Sequence, residues 1–173
     1  MVIKFAHAAG IRTINVVRRA ERADELLALG ADHVLIDADA GTERTAELTG
    51  GVAVALALDA VGGRATGSLL SALAPGGVLV SYGDMSGQPS VTNPADLIFG
   101  RRSIRGFNVG DWFANATPAA IADLYGTILG QLVAGDPPIP IEATYPLTDT
   151  ESALRHAAED GRAGKILLVG SPL

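Results

Sequence analysis

Short β-branched runs alternate along this chain with helical stretches of about ten residues, and glycine closes most of the helical stretches. The run 12–17 (RTINVV) is followed by a helical segment, 20–29, with Leu26, Leu27 and Leu29 on one side and Gly30 behind it. A second run, 33–36, leads to a helix over 42–48 and the Gly50-Gly51 pair. The stretch 52–58 (VAVALAL) is continuously apolar, as a parallel strand covered on both faces should be. A helix over 63–73 then stops at Pro75-Gly76-Gly77, with strand 78–82, a helical turn at 94–99 and strand 103–109 beyond it. Strands spaced by helices of this length make βαβ units and a mostly parallel sheet, with right-handed crossovers. In such sheets ligands lie beyond the carboxyl ends of the strands. That rule selects Arg18 and Arg19, the stretch from Asp59 through Val61 and Gly62 to Gly63, the stretch Tyr82, Gly83, Asp84 and Met85, and the trio Phe107, Asn108 and Val109.

The rest of the chain follows the same grammar. Thr117-Pro118 gives an N-cap with proline at the first helical position. Ile121, Leu124, Tyr125, Ile128, Leu129, Leu132 and Val133 then form one stripe, stopped by Gly135. Residues 136–140 hold three prolines and read as a linker; 141–147 reads as extended. Thr148 and Glu151 have capping-box spacing at the start of a helix to about Glu159, and 165–169 is the last strand. At the other end, Val2, Ile3, Phe5, Ala6 and Ala9 recur at helical spacing before Gly10, with no N-cap residue ahead of them. This reads either as the second half of an amphipathic helix or as a short frayed one. It lacks the basic n-region and cleavage site of a signal peptide.

Composition removes several classes of function. The 173 residues suit one domain. Nineteen acidic residues against thirteen Lys and Arg leave a net charge of −6, which argues against nucleic acid and against a polybasic membrane surface as partners. No apolar run has the length of a membrane span, about 18 residues. With no cysteine at all, disulfide scaffolds, cysteine-ligated zinc and thiol nucleophiles are excluded, and a cytoplasmic location is the expectation. The hydrophobic fraction of 48% suffices for a packed core.

The candidate constellations differ in weight. An acidic residue followed by Gly62-Gly63 at a strand end suits close approach of a ligand to backbone amides, although any strand-to-helix turn favours glycine; it is not a Walker A loop. Arg18 and Arg19 stand where a nucleotide-binding α/β domain reads the ribose, and two guanidiniums fit a 2′-phosphate; a solvated loop pair is the competing reading. His7, His33 and His156 have no metal-ligand spacing, and Ser81 and Ser86 lack a nucleophile elbow. Trp112 and Phe113 could cover a ligand or pack a loop. A G-x-G-x-x-G fingerprint is not found.

Taken in order, the stretches 9–18 (AGIRTINVVR), 29–34 (LGADHV), 59–63 (DAVGG), 75–77 with 82–85 (PGG and YGDM), 97–99 (LIF), 105–107 (RGF) and 164–168 (GKILL) resemble the medium-chain dehydrogenase/reductase superfamily. Within it they are most similar to the zinc-independent quinone-oxidoreductase-like group and its 2-enoyl thioester reductases. The resemblance implies a Rossmann-like sheet lacking the first strand and glycine-rich loop, with helices on both faces. It divides the chain into a truncated NADP-binding domain at 1–140 and a segment, 141–173, that packs on a catalytic domain in the family. It implies that Arg18 and Arg19 hold the NADPH 2′-phosphate, that Tyr82, Gly83, Asp84 and Met85 line the cofactor, that Phe107, Asn108 and Val109 border the nicotinamide, and that Lys165 returns to the cofactor. The tyrosine that assists enoyl reduction lies in the family's N-terminal domain, so no catalytic residue carries over, and no metal is implied. The expectation is the C-terminal half of an NADPH-dependent reductase of enoyl thioesters or quinones, inactive alone and binding NADPH weakly or not at all. It is expected to pair as a homodimer through the edge strand from Ser103 to Val109, or with a missing N-terminal half. The alternatives are a non-catalytic remnant that completes its sheet with another chain, and a piece of an S-adenosylmethionine methyltransferase, whose fold the stretch 73–77 (LAPGG) also suits.

Overall fold

Every strand pair among the described residues of this protein is parallel. The computed structural model describes residues 2–36, 42–133, 140–159, 161–162 and 164–170. Chain contacts divide it into two units, Met1–Asp123 and Leu124–Leu173. Gly135 and residues 136–139 of the expected linker lie outside the described residues.

The first unit opens with α1 (Val2–Ala8), which ends as the sequence predicts: Gly10 has φ +67° and the Ile11 N–H reaches back to the Ala6 carbonyl. Strand β1 (Ile14–Val17), a 3₁₀ turn with α2 (Ala23–Ala28), and β2 (His33–Ile36) make one βαβ unit, in register Ile14 to His33. Helix α3 (Thr42–Thr49) leads to a second sheet of β3 (Leu56–Asp59), β4 (Val78–Ser81) and β5 (Ser103–Gly106), with α4 (Arg64–Ala72) between β3 and β4. The elements alternate strand and helix in the Rossmann manner that the sequence predicts. The core of this sheet is small. Leu70 and Leu73 from α4 and its end bury against Leu79 of β4, with Ala57, Val54 and Leu69 around them.

Two expectations need correction. The strand predicted over 52–58 begins only at Leu56, because the Pro75–Gly77 turn stands opposite the residues before it. Nor is it covered on both sides: Leu56 and Leu58, on the face opposite Ala57, remain 56% and 44% exposed. The strand predicted over 103–109 stops at Gly106. Asn108 accepts hydrogen bonds from the Gly110 and Asp111 N–H groups and so caps a helix, α6 (Val109–Asn115).

A nearly buried ionic cluster ties α4 to the approach to β5. Asp96, in α5 (Pro94–Ile98), pairs with Arg102 and accepts a hydrogen bond from Ser71; Arg102 Nε also donates to the Leu73 carbonyl at 2.8 Å. Both charged side chains are 13% exposed, so each depends on the other for compensation.

Helix α7 (Pro118–Val133) runs into the second unit. That unit is another βαβ: β6 (Ile141–Pro146), a 3₁₀ turn, α8 (Thr150–Ala158) and β7 (Lys165–Val169). Tyr145 Oη lies 3.0 Å from His156 Nδ1, and His156 Nε2 lies 3.5 Å from Glu142, whose carboxylate also accepts the Gly164 N–H. Among the described residues no helix is long and apolar enough to cross a membrane.

Removing one partner of the α4–β5 cluster leaves an unpaired charge in a largely buried site. Arg102→Ala is expected to lower unfolding stability by about 3 kcal/mol, and Ser71→Ala by about 1 kcal/mol. Urea denaturation measures both. A loss for Arg102→Ala below about 1 kcal/mol would place the pair with ordinary surface salt bridges.

Candidate functional site

The end of β3 is organised by one carboxylate. Asp59 is 1% exposed and aims its side chain back into the turn that follows it. Its Oδ1 accepts the N–H groups of Val61 (2.8 Å) and Gly62 (3.1 Å), and its Oδ2 accepts the hydroxyl of Thr66 (2.7 Å). This arrangement bends the chain through Gly62 and Gly63 at φ +77° and +61°, a region that suits glycine, and launches α4 immediately afterwards. No side chain caps α4. The Gly63 N–H instead donates to the Gln88 carbonyl at 3.2 Å.

The segment after β4 lies across this turn as a strap. The Tyr82, Met85 and Ser86 N–H groups donate to the carbonyls of Asp59, Ala60 and Val61, and the Val91 N–H donates to the Gly63 carbonyl. The approach is close enough to require glycine at two points. A Cβ on Gly83 would stand 2.9 Å from the Ala60 oxygen, and one on Gly67 would stand 2.5 Å from the Val91 oxygen. Between turn and strap lies a cleft of about 360 Å³, lined by glycines 62, 83 and 87 with Ser81, Asp84, Gln88, Pro89 and Ser90. Its walls offer backbone amides, hydroxyls and one carboxylate, a lining suited to polar ligand groups. Asp84 stands close to Gly62, where an added Cβ would come within 3.1 Å of its Oδ1.

The sequence-selected residues divide into groups. Gly62, Gly83 and Asp84 line the cleft, and Tyr82 and Met85 are exposed beside it at 50% and 81%. Val61 is exposed at the turn, whereas the carboxylate of Asp59 is engaged inside it. Phe107 and Val109 are exposed after β5, with Asn108 between them spending its side-chain oxygen on the α6 cap. Arg18 and Arg19 are exposed at the carboxyl end of β1, and neither makes an ion pair among the described residues. Lys165 opens β7 in the second unit. Sequence reasoning missed Thr66 and the strap residues Gly87–Ser90. A signal existed in the polar stretch 86–90 (SGQPS), which is too rich in turn formers to be a simple connection.

Comparison with known proteins sets this geometry in context. Residues 1–125 match the zinc-binding dehydrogenase family. The chain is 35% identical over 158 residues to the mitochondrial enoyl-acyl-carrier-protein reductase of Rattus norvegicus, covering 88% of this chain and 42% of that protein. It is 34% identical over 172 residues to the Homo sapiens protein of the same name, covering 96% and 46%. The chain thus spans somewhat under half the length of these relatives. Among solved structures, a mycobacterial quinone oxidoreductase superposes with a TM-score of 0.84 at 25% identity, covering 95% of this chain and 51% of that one. An Etr1p variant in complex with NADP and crotonyl-CoA superposes at 0.81 with 22% identity, covering 95% and 49%, a likeness of fold. The family's name implies zinc, but the donor set here does not fit it: the chain has no cysteine, and no group of three His, Asp or Glu is assembled among the described residues.

Two glycines inside helices make opposite predictions. Helix propensity alone favours alanine over glycine by about 1 kcal/mol. Gly126→Ala in α7, where a Cβ meets nothing within 4 Å, is expected to stabilise by about 0.5–1 kcal/mol. Gly67→Ala is expected to destabilise by about 1–3 kcal/mol, because the Val91 backbone must move. Thermal denaturation of the two variants gives both signs, and a stabilised Gly67→Ala would show that the strap does not rest on α4.

Proposed function

The chain belongs to the zinc-binding dehydrogenase family within the medium-chain dehydrogenase/reductase superfamily, and from that premise we propose that it is the cofactor-binding part of an NADPH-dependent oxidoreductase acting on enoyl thioesters or quinone-type substrates. The observation that carries this reading is the glycine-lined cleft at the carboxyl ends of β3 and β4, combined with two exposed cations at the carboxyl end of β1 that make no ion pair among the described residues. The relatives are named as enoyl-acyl-carrier-protein reductases, and one structural neighbour was solved with NADP and crotonyl-CoA.

In this reading Arg18 and Arg19 hold the 2′-phosphate, since paired guanidiniums match a phosphate dianion. Gly62 and Gly83 let the ligand approach the backbone, and Asp84 accepts from hydroxyl or amide donors. Tyr82, Met85, Phe107 and Val109 supply apolar cover, and Lys165 contributes a cation from the C-terminal segment. Bound NADPH would supply the hydride, while the protein orients it and keeps water away. The domain assignment in this reading is 1–140 for cofactor binding and 141–173 for packing on a catalytic domain. No residue is assigned to proton transfer, and the chain alone is proposed to be inactive. The outer edge of β5, which has no strand partner among the described residues, would pair two copies.

A second reading has its own observation. β1 and β3 each have one edge without a strand partner among the described residues, and Leu56 and Leu58 of β3 are half exposed. Such an edge can take a strand from another chain. A light-scattering mass that stays monomeric over a wide concentration range would exclude self-pairing by either edge.

Arg18→Asp is expected to weaken NADPH binding at least tenfold more than NADH binding, on the order of 1.4 kcal/mol. Fluorescence titration with both nucleotides measures this, and equal losses would remove the 2′-phosphate role. The purified chain with NADPH and crotonyl-CoA is expected to give no enzymatic loss of NADPH absorbance. Turnover at an ordinary enzymatic rate would refute the proposal that it is inactive alone.

A further inference from the structure

Three side chains link the two walls of the cleft, and each has a defined hydrogen-bond role. Thr66 is fully buried, and its hydroxyl carries a single proton. Asp59 can only accept, so that proton goes to its Oδ2 at 2.7 Å. The contact of 3.0 Å between Thr66 Oγ1 and Ser90 Oγ must then be a bond donated by Ser90. The other carboxylate oxygen of Asp59 already holds the Val61 and Gly62 N–H groups. One continuous chain therefore runs from the backbone of the turn, through Asp59 and Thr66, to Ser90 on the strap. Gly62 and Ser90, near its two ends, both line the cleft.

We propose that this Asp59–Thr66–Ser90 chain is a clamp that sets the width of the cleft, making Thr66 and Ser90 positioning residues for the nucleotide that binds there. The proposal rests on the cofactor-binding reading above for the identity of the ligand, but not for the existence of the clamp. Two backbone bonds flank Ser90 on the strap, Gly63 N–H to the Gln88 carbonyl and Val91 N–H to the Gly63 carbonyl. They keep the strap attached when Ser90 lets go, so loss of the hydroxyl loosens the cleft and leaves the sheet folded. The side-chain chain removes the remaining freedom, and a ligand then binds a cleft already at its working width.

The test uses the full chain with Thr66→Val, Thr66→Ser and Ser90→Ala. Amide hydrogen exchange is followed at Gly63 and Val91, the strap bonds, and at Leu79 in the sheet core. NADPH affinity is titrated in parallel. Thr66→Val and Ser90→Ala are expected to speed exchange at Gly63 and Val91 about tenfold and to weaken NADPH binding about five- to tenfold, as loss of one hydrogen bond allows. Leu79 should be unchanged, and Thr66→Ser should restore both readouts. Should Thr66→Val fail to fold, Ser90→Ala decides alone, since it removes no donor from the buried carboxylate. Wild-type exchange at Gly63 and Val91 in the variants that fold overturns the clamp. Equal acceleration at Leu79 also overturns it, since that is general destabilisation. If the unmodified chain binds NADPH too weakly to titrate, as its expected weak affinity allows, the exchange data decide the clamp.

Discussion

Burying a carboxylate is costly unless its oxygens are satisfied, and the site of this protein is arranged around that requirement at Asp59. Two donors come from the backbone directly after it, which forces the chain into a tight turn, and the third comes from a hydroxyl one turn into the next helix. The turn takes Gly62 and Gly63 to positive φ, a conformation that favours glycine. The direction of α4 leaving the sheet, and so the burial of Leu70 and Leu73 against Leu79, follows from this corner. Replacing Asp59 by an apolar residue would strand the buried Gly62 N–H, the part-buried Val61 N–H and the Thr66 hydroxyl together, so the acid is bound into the fold as well as into the site.

The strap restricts what α4 can contribute to a ligand. A helix N-terminus often serves as an anion site because its first N–H groups lack partners. In this protein the Gln88 carbonyl already takes the Gly63 N–H, and the strap covers that end of the helix. The lining of the cleft adds a carboxylate, Asp84, and no cation. A phosphate bound by this unit must therefore find its positive charge in side chains elsewhere. Arg18 and Arg19 answer that need better than the glycine turn does.

Much of this was legible in the sequence. Strands His33–Ile36 and Lys165–Val169 fall where β-branched runs are bracketed by polar or glycine residues, since chemistry and pairing change at the same place. Residues 52–55 are as apolar as 56–58 but have no strand partner, and hydrophobicity alone does not report where pairing begins. Asn108 carries a readable cap signal, with Asp111 in the first turn behind it, and the strand before it ends two residues earlier, at Gly106. The strap was the hardest part to foresee. Its position depends on backbone bonds between residues some 25 apart, and on glycines whose need is created by a neighbour that the local sequence does not mention.

The strand that ends in Asp59 also lies at an edge of its sheet, with no strand beyond it among the described residues. Leu56 and Leu58, on the face away from α4, keep about half their surface in water, whereas strands of parallel sheets are normally covered on both sides. Three strands with one helix-covered face are near the lower limit for a stable sheet. The buried cluster of Ser71, Asp96 and Arg102 therefore holds together a unit whose apolar core is small. Because β3 carries both this exposed face and the carboxylate corner, the strand that positions the turn beside the cleft is also a thinly covered strand of its small core.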